Sequence, residues 1–235
     1  MKLKALLIKY FQKIFIRVEA LGNHQINISG VWKSDYKLLY ESIYKNLRIK
    51  LDSYSVSTND TFIVLPHKFY VEEYKELEKK LLSNKNLLNT LNTFFGGRAW
   101  KIGPPSCWRL KQLKTKPTKD NTSDGARYWH LDAIRDDYLK LFINLMDIKN
   151  NHGPFSAISA IDSKKIIKYQ KTKNRYDLKD KDFGVNTFKA TGPIGTATFC
   201  TTSRCLHRGG YQAPNYQRDM LQIHFVLKKP IFGFI

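Results

Sequence analysis

The tetrapeptide Trp129-His130-Leu131-Asp132 places an imidazole and a carboxylate two residues apart. On a β-strand, residues i and i+2 project from the same face, so His130 and Asp132 would point in one direction. These two groups make half of a protein metal site, and the other half needs a second histidine. His207 is the candidate, because it ends a strand-like run that begins near Gly195. The spacing therefore predicts a metal centre.

Two histidines and one carboxylate on one face of a divalent metal form the facial triad of non-heme Fe(II) oxygenases. Such a triad leaves three positions on the metal, which a chelating cosubstrate and O2 can occupy. An H-x-D motif is weak evidence on its own. His130 and Asp132 could instead be a hydrogen-bonded pair at a strand end, and His207 a histidine in a turn.

Arg218 lies eleven residues after His207 and opens a strongly alternating segment. The alternation predicts a strand with two different faces. One face carries Leu221, Ile223, Phe225 and Leu227, and the other carries Arg218, Met220, Gln222 and His224. A guanidinium that faces the metal could pair in bidentate fashion with the distal carboxylate of a dicarboxylate whose 2-oxo acid end chelates iron.

With these residues in order, residues 98–230 resemble the phytanoyl-CoA dioxygenase family of Fe(II)/2-oxoglutarate oxygenases. The matching elements are Lys116-Pro117, Trp129-His130-Leu131-Asp132, the turn Asn150-Asn151-His152-Gly153-Pro154-Phe155, Ser163-Lys164, the run from Gly195 to His207, and Arg218. Two elements depart from the family pattern. The usual Gly-Asp is Gly195-Thr196 here, and the usual Gly-Ser-His-Lys is reduced to Asp162-Ser163-Lys164.

The resemblance implies a mainly β fold, a double-stranded β-helix of the jelly-roll or cupin type. Residues 98–235 would form this catalytic core, and residues 1–97 would be a helical and strand region that buttresses one sheet. The implied metal ligands are His130, Asp132 and His207, with Fe(II), 2-oxoglutarate and O2 as the reaction partners. Halogenases of the family replace the carboxylate ligand with a small residue, so Asp132 favours hydroxylation with release of succinate and CO2.

Strand phase suggests further residues beside the cosubstrate. In a strand from Tyr138 to Ile148, four leucine and isoleucine side chains would pack on one face, and Lys140, Phe142, Asn144 and Met146 would look into the cavity. Phe142 stands where family members often have an aromatic ring beside 2-oxoglutarate. Asn144 and Gln112 are polar candidates for the same ligand, and Tyr128 shares the face of His130. Each has a plain alternative, with Phe142 as core and the two amides as paired interior groups.

The chain has 235 residues, 40 Lys and Arg against 20 Asp and Glu, and a formal net charge of +20. Its 42% hydrophobic content excludes a disordered chain. Lysine predominates, as AT-rich coding would produce, so the charge alone does not indicate nucleic acid. Nucleic-acid demethylases of this fold usually carry a second Arg six residues after the cosubstrate Arg, and His224 stands there instead.

Basic residues expected around the barrel mouth predict a small or carrier-linked anionic substrate, because a cleft of one charge concentrates the opposite charge. These residues are Lys111, Lys114, Lys116, Arg127, Lys140 and the segment Lys164–Lys181. A cupin-like binding protein without turnover is the non-enzyme alternative.

Three cysteines are too few for a disulfide framework and indicate a cytoplasmic protein with reduced thiols. Residues 2–20 have the pattern of an amphipathic helix. This helix could dock on the domain or anchor the protein on an anionic bilayer, where a lipid-linked sugar or acyl carrier would be the substrate.

The remaining pattern predicts helices over residues 34–47 and 66–91, with a strand at 61–65 between them. Gly96 and Gly97 would end the helical part. Two polar stretches, residues 114–127 and 162–190, are expected to be long loops of the kind that often cover an active site.

Overall fold

The computed structural model describes residues 30–34, 40–57, 60–112, 126–132, 138–170, 178 and 182–228. The strands are β1 (Val31–Lys33), β2 (Phe62–Leu65), β3 (Trp100–Lys111), β4 (Tyr138–Asn144), β5 (Phe155–Ile158), β6 (Thr187–Lys189), β7 (Ala197–Cys200), β8 (His207–Gly209) and β9 (Gln217–Leu227). The α-helices are α1 (Glu41–Val56), α2 (Val71–Ser83), α3 (Lys85–Phe94) and α4 (Ala160–Gln170). Short 3₁₀ turns cover His67–Phe69 and Asn150–His152.

Six strands form a major sheet in the order β1-β7-β4-β9-β3-β2, in which every neighbouring pair is antiparallel. The longest pairing joins β3 to β9, and its register shifts between Gly103 and Ser106. Pro104 and Pro105 lie at this shift. Proline has no amide hydrogen for the ladder, so a bulge forms where the two prolines interrupt the strand.

Three strands form a minor sheet in the order β6-β5-β8, which is also antiparallel. A buried apolar cluster joins side chains of both sheets, among them Trp108, Phe142 and Met220 from the major sheet and Phe155 and Ala157 from the minor sheet. The two sheets therefore face each other across an interior that these side chains line.

The alternation predicted for β9 is present in the structure, and that predicted over residues 138–148 is present as far as Asn144, where β4 ends before Met146. Their leucine, isoleucine and phenylalanine face packs against the helices, in a cluster that includes Ile43 and Leu47 of α1, Leu77 of α2 and Leu91 of α3. Each such buried side chain contributes roughly 1.5–3 kcal/mol relative to an exposed one. The opposite face of the two strands carries Arg218, Lys140 and Phe142 toward the minor sheet. Helix packing on one side thus fixes which residues reach the interior.

The first 97 residues differ in detail from the prediction. The strand expected at 61–65 is β2, but the helix expected at 34–47 is observed at 41–56, and residues 35–39 lie outside the described part. The single helix expected over 66–91 is wrong, because α2 ends at Ser83 and α3 begins at Lys85. Asn84 between them has an extended backbone, and its side-chain Oδ1 accepts a hydrogen bond from the Leu87 amide at 3.0 Å. Asparagine is a favoured N-cap, so it starts a new helix here.

The loop expected over 162–190 is also wrong in its first part, where α4 occupies residues 160–170. The missed signal is a local one. The Ser159 hydroxyl accepts a hydrogen bond from the Asp162 amide at 3.1 Å and donates to the Asp162 carboxylate at 2.8 Å. A serine followed three residues later by an acidic residue stabilises the start of a helix.

Among the described residues before position 98, β1 and β2 belong to the major sheet, and α1, α2 and α3 pack as helices beside it. Within the described residues, no helix is long and apolar enough to cross a bilayer. The amphipathic segment 2–20 and most of the loop 114–127 lie outside the described residues.

Candidate metal centre

Two distant parts of the chain meet at the predicted metal ligands. His130 and His207 form an isolated antiparallel bridge, in which each backbone amide donates to the other residue's carbonyl at 3.1 and 3.0 Å. The Asp132 amide donates to the Thr202 carbonyl at 3.0 Å. Backbone hydrogen bonds therefore align the H-x-D segment with β8 and the turn before it.

The three side chains converge. Asp132 Oδ1 lies 3.7 Å from His130 Nε2 and 3.6 Å from His207 Nε2. All three ligand atoms lie within 4.8 Å of one another, and the two imidazole rings are 4.3 Å apart between centroids. The histidines are buried and the aspartate is partly buried. One metal ion could bond to all three groups.

Hydrogen bonds orient both imidazoles for this task. His130 Nδ1 is 2.6 Å from the Tyr128 carbonyl, and His207 Nδ1 is 3.0 Å from the Cys205 carbonyl. A carbonyl oxygen can only accept, so in each ring Nδ1 carries a proton and donates. Nε2 of each ring faces Asp132 and is the nitrogen that can bind a metal. This orientation of ligand histidines is common in metal sites.

Asp132 also has a cationic neighbour that the sequence did not identify as its partner. Lys140 Nζ donates to Asp132 Oδ2 at 2.7 Å. Burial alone would raise the pKa of the Asp132 carboxyl, but His207 and Lys140 outweigh burial and hold this pKa well below its usual range. The carboxylate is therefore ionised, as a metal ligand must be.

Arg218 is fully buried and lacks a carboxylate partner among the described residues. Its Nη1 donates to the Gly153 carbonyl, and its guanidinium lies over the Trp108 ring at 5.2 Å from the centroid. Nε and Nη2 have no hydrogen-bond partner. Burial, together with the positive charge of Arg127, lowers the pKa of Arg218 to about 9. A buried cation with two unused donors is costly unless a ligand completes it.

Gly209 makes room for this guanidinium, and Gly153 accepts a hydrogen bond from it. A Cβ on Gly209 would lie 2.9 Å from Arg218 Nη2, and Gly153, whose carbonyl accepts from Arg218, has a φ of +61°. Gly209 is two residues after His207 on β8, so the two positions share a face of that strand. The guanidinium therefore lies beside the strand that carries the third metal ligand.

A hydrogen-bond network that the sequence did not indicate supports the turn at Gly153. Arg127 is fully buried; its Nη1 donates to the Gln212 side chain and its Nη2 to the Lys111 carbonyl at 2.6 Å. Gln212 Nε2 in turn donates to the carbonyls of His152 and Gly210, both at 3.2 Å. A single glutamine in a loop carries no pattern that could have revealed this role.

Phe142, Asn144 and Gln112, the predicted cosubstrate contacts, lie in three different environments. The Phe142 ring stacks on Phe155 at 4.2 Å between centroids, and Phe155 lies 5.8 Å from the His207 ring. Asn144 is buried, and its side-chain amide donates to two backbone carbonyls of residues 190 and 192 at 3.4 Å. Gln112 is exposed and accepts from the Asn215 amide at 3.2 Å. Of these three residues, Phe142 is connected to the metal ligands indirectly, because its ring stacks on Phe155, which lies beside the His207 ring.

Several basic residues expected at the barrel mouth form bonds within the protein. Lys111 Nζ donates to the Ser55 carbonyl at 3.2 Å, and Arg127 and Lys140 have the partners given above. Lys164, Lys165 and Lys168 lie exposed on α4. Lys114 and Lys116 lie outside the described residues. The three cysteines are buried, and none of them is joined to another by a disulfide.

No protein-family model matches the chain, and no curated protein matches it. Solved structures do. A nickel complex of the non-heme monooxygenase ThoJ has a TM-score of 0.56 at 11% identity and covers 89% of this chain and 79% of its own. HygX from Streptomyces hygroscopicus, with nickel and 2-oxoglutarate bound, has a TM-score of 0.55 at 10% identity and covers 87% and 85%.

The epimerase SnoN, in complex with Fe3+, alpha ketoglutarate and nogalamycin RO, has a TM-score of 0.53 at 9% identity and covers 91% of this chain and 84% of its own. Likenesses at such low identity report on the fold. They confirm the predicted double-stranded β-helix with helices against one sheet. The chain therefore has the fold of the non-heme Fe(II)/2-oxoglutarate oxygenases.

Proposed function

We propose that the protein is an Fe(II)/2-oxoglutarate-dependent dioxygenase that hydroxylates a small or carrier-linked substrate. This proposal rests on one observation: a group of metal-ligating side chains and a guanidinium with unpaired donors lie beside the same strand, β8. His207 completes a His-Asp-His group of metal-ligating atoms. Two residues further along β8, Gly209 leaves space for a buried guanidinium with two unpaired donors.

The residues fit the metal and the cosubstrate in type as well as in position. His130, Asp132 and His207 would hold iron, since two imidazoles and one carboxylate suit Fe(II) with open positions. Arg218 would hold the distal carboxylate of 2-oxoglutarate through its two unpaired nitrogens. When bound, iron with 2-oxoglutarate and O2 supplies oxidation of a substrate C–H bond, with release of succinate and CO2.

The protein's own residues position these partners. The Tyr128 and Cys205 carbonyls fix the imidazoles, and Phe142 with Phe155 forms an apolar wall beside His207. Trp108 stacks under Arg218 and keeps water from that side of the guanidinium. Asp132 occupies the carboxylate position, which favours hydroxylation over halogenation.

Within the oxygenase fold, we place the chain nearest to the phytanoyl-CoA dioxygenase family. The turn from Asn150 to Phe155 supports this proposal, because the Gly153 carbonyl in it accepts a hydrogen bond from Arg218. The HygX structure holds nickel and 2-oxoglutarate, and the SnoN structure holds Fe3+ and alpha ketoglutarate, which is consistent with the cosubstrate proposed here.

The substrate class that we propose remains anionic. Fewer basic residues can contact such a substrate than the sequence suggested, because Lys111, Arg127 and Lys140 form hydrogen bonds within the protein. Lys164 and Lys168, exposed on α4, are available to a carboxylate or phosphate, whereas Lys165 pairs with Asp162 at 3.1 Å. Neither nucleic acid nor a second protein is required by this proposal.

We further propose a cytoplasmic enzyme, with membrane contact through residues 2–20 as the alternative. Sedimentation with anionic vesicles, with and without residues 2–20, separates the two. Equal partitioning of both forms would eliminate the anchor.

The central experiment follows release of CO2 from carboxyl-labelled 2-oxoglutarate by the purified protein. Release should require added Fe(II), increase with a true substrate from a panel of anionic compounds, and be lost in His207→Ala and Arg218→Ala. A protein that neither binds Fe(II) nor decarboxylates 2-oxoglutarate with any substrate would contradict the proposal and favour a binding protein without turnover.

A further inference from the structure

The ammonium group of Lys140 is buried beside the metal ligands. Lys140 is 8% exposed on the interior face of β4, and its Nζ lies 2.7 Å from Asp132 Oδ2. A buried ammonium is tolerated when it is paired with an opposite charge and is costly otherwise. Its strand neighbours in register are His224 on β9 and Cys200 on β7, which offer an imidazole and a thiol rather than a carboxylate. Asp132 is thus the anionic partner of Lys140 within the described structure.

The two oxygens of Asp132 have different surroundings. Oδ1 faces the Nε2 atoms of both histidines, at 3.7 and 3.6 Å. Oδ2 is turned toward Lys140 and hydrogen-bonded to it. A carboxylate that is free at both oxygens can bind a metal through one oxygen or through both. Here the lysine occupies the second oxygen.

We propose that Lys140 is a positioning residue that restricts Asp132 to coordination through Oδ1 alone. This inference rests on the proposed function, since it concerns the same metal. Two histidines and a carboxylate bound through one oxygen leave three positions on a six-coordinate ion. A carboxylate bound through both oxygens leaves two, which a chelating 2-oxo acid would fill completely. Lys140 therefore preserves the position that O2 needs.

Metal affinity alone is a poor test of this role. Removing Lys140 takes away a cation that repels the metal ion, but it also frees the carboxylate to rotate away from the histidines. These two effects act on affinity in opposite directions. The number of water molecules on the bound metal depends on how many Asp132 oxygens bind it, and it changes in opposite directions for the two outcomes, so it is the quantity to measure.

The experiment uses Mn(II), added alone to the full-length protein without 2-oxoglutarate. Broadening of the Mn(II) electron paramagnetic resonance lines in 17O-enriched water counts the metal-bound waters. The unaltered protein should hold three waters on Mn(II). Lys140→Leu and Lys140→Met, which remove the donor at Oδ2, should each hold two, because Asp132 would bind through both oxygens. Lys140→Arg should hold three, since it keeps a cation at Oδ2. Lys101→Met, which changes an exposed lysine on β3, is the matched control and should hold three.

Three or four waters in Lys140→Leu or Lys140→Met would overturn the inference, as would two waters in the unaltered protein. The leucine variant also lacks a donor at Oδ2, so it gives an answer if the methionine variant does not fold. Because no 2-oxoglutarate is present, the count is independent of catalysis. An active enzyme whose neutral variants keep three waters would refute the role of Lys140 and leave the proposed function intact.

Discussion

Arg109 and Arg218 are two buried arginines on opposite sides of the same sheet, and their surroundings differ sharply. Arg109 on β3 is paired in register with Asp219 on β9, and its Nε and Nη2 donate to the Asp219 carboxylate at 2.7 and 2.6 Å. On α1, the Asp52 carboxylate lies 2.7 Å from Arg109 Nη2, and the Ser55 hydroxyl oxygen accepts a hydrogen bond from Arg109 Nη1 at 3.2 Å. Arg218, one residue before Asp219, points to the other face and keeps two nitrogens unpaired.

The pKa values show the same contrast. Burial alone would lower the pKa of Arg109, but Asp219 and Asp52 outweigh burial and raise it. Arg218 has no such carboxylate, so burial and Arg127 lower its pKa to about 9. Arg109, whose donors are paired with side chains of β9 and α1, joins the sheet to the helix. Arg218, which keeps unpaired donors, is suited to bind an anionic ligand.

The largest expected effect is a loss of stability when Arg109 is replaced. Arg109→Met removes both hydrogen bonds to the buried Asp219 carboxylate and leaves it only the longer contact with Arg48 at 3.7 Å, which should cost about 3 kcal/mol of the free energy of unfolding. Urea unfolding measures this loss. The double variant Arg109→Met with Asp219→Leu removes both charges and should recover most of it. A loss below about 1 kcal/mol in the single variant would mean that the ion pair does not hold α1 to the sheet.

Arg218→Met should weaken ligand binding without lowering the stability of the protein. The Kd for 2-oxoglutarate, measured by calorimetry on the Ni(II)-loaded protein, should rise about a hundredfold, because a buried charge pair typically contributes about 2–5 kcal/mol to binding. The free energy of unfolding without ligand should stay the same or increase, since an unpaired buried charge is removed. Arg98→Met, on the helix-covered side, is the control for binding. An unchanged Kd would show that Arg218 does not contact the cosubstrate.

Metal binding should stabilise the folded state by a smaller amount. With Ni(II) at ten times its Kd, the free energy of unfolding should increase by about 1.4 kcal/mol. The increase should vanish in His207→Ala and persist in Arg109→Met. Stabilisation of equal size in His207→Ala would indicate that the ion binds elsewhere.

The smallest effect concerns pH. Burial and the charge of Lys140 lower the pKa of His224 from 6.5 to about 4. Between these two values the unfolded chain binds a proton at His224 that the folded protein does not bind, so stability should fall as pH decreases from about 6.5 to about 4. The side chain is partly exposed, so the total contribution over this range should stay below about 1 kcal/mol. His224→Gln should flatten this slope in urea unfolding series, and an unchanged slope would assign it to other groups.

The sequence predicted the parts of the molecule that depend on spacing. Alternation placed Lys140, Phe142 and Arg218 on the interior face, and the His130, Asp132 and His207 set followed from residue types in order. Alternation gives a face but not a partner, so the contact between Lys140 and Asp132 could not be read from it. The break at Asn84 and the start of α4 at Ser159 were missed because capping by one side chain outweighed the longer pattern. The exposed position of Gln112 depends on the turn before β9, which no local pattern specifies.

The bridge between His130 and His207 also bears on how the site opens. Their two amides are bonded to each other's carbonyls, so separating the metal ligands breaks both bonds at once. Local opening of this bridge without unfolding of the sheet would let an ion enter or leave. Metal binding should then slow hydrogen exchange at these two amides more than at amides in the middle of β9. The exchange rate of two backbone protons would thus report how often the metal site is open.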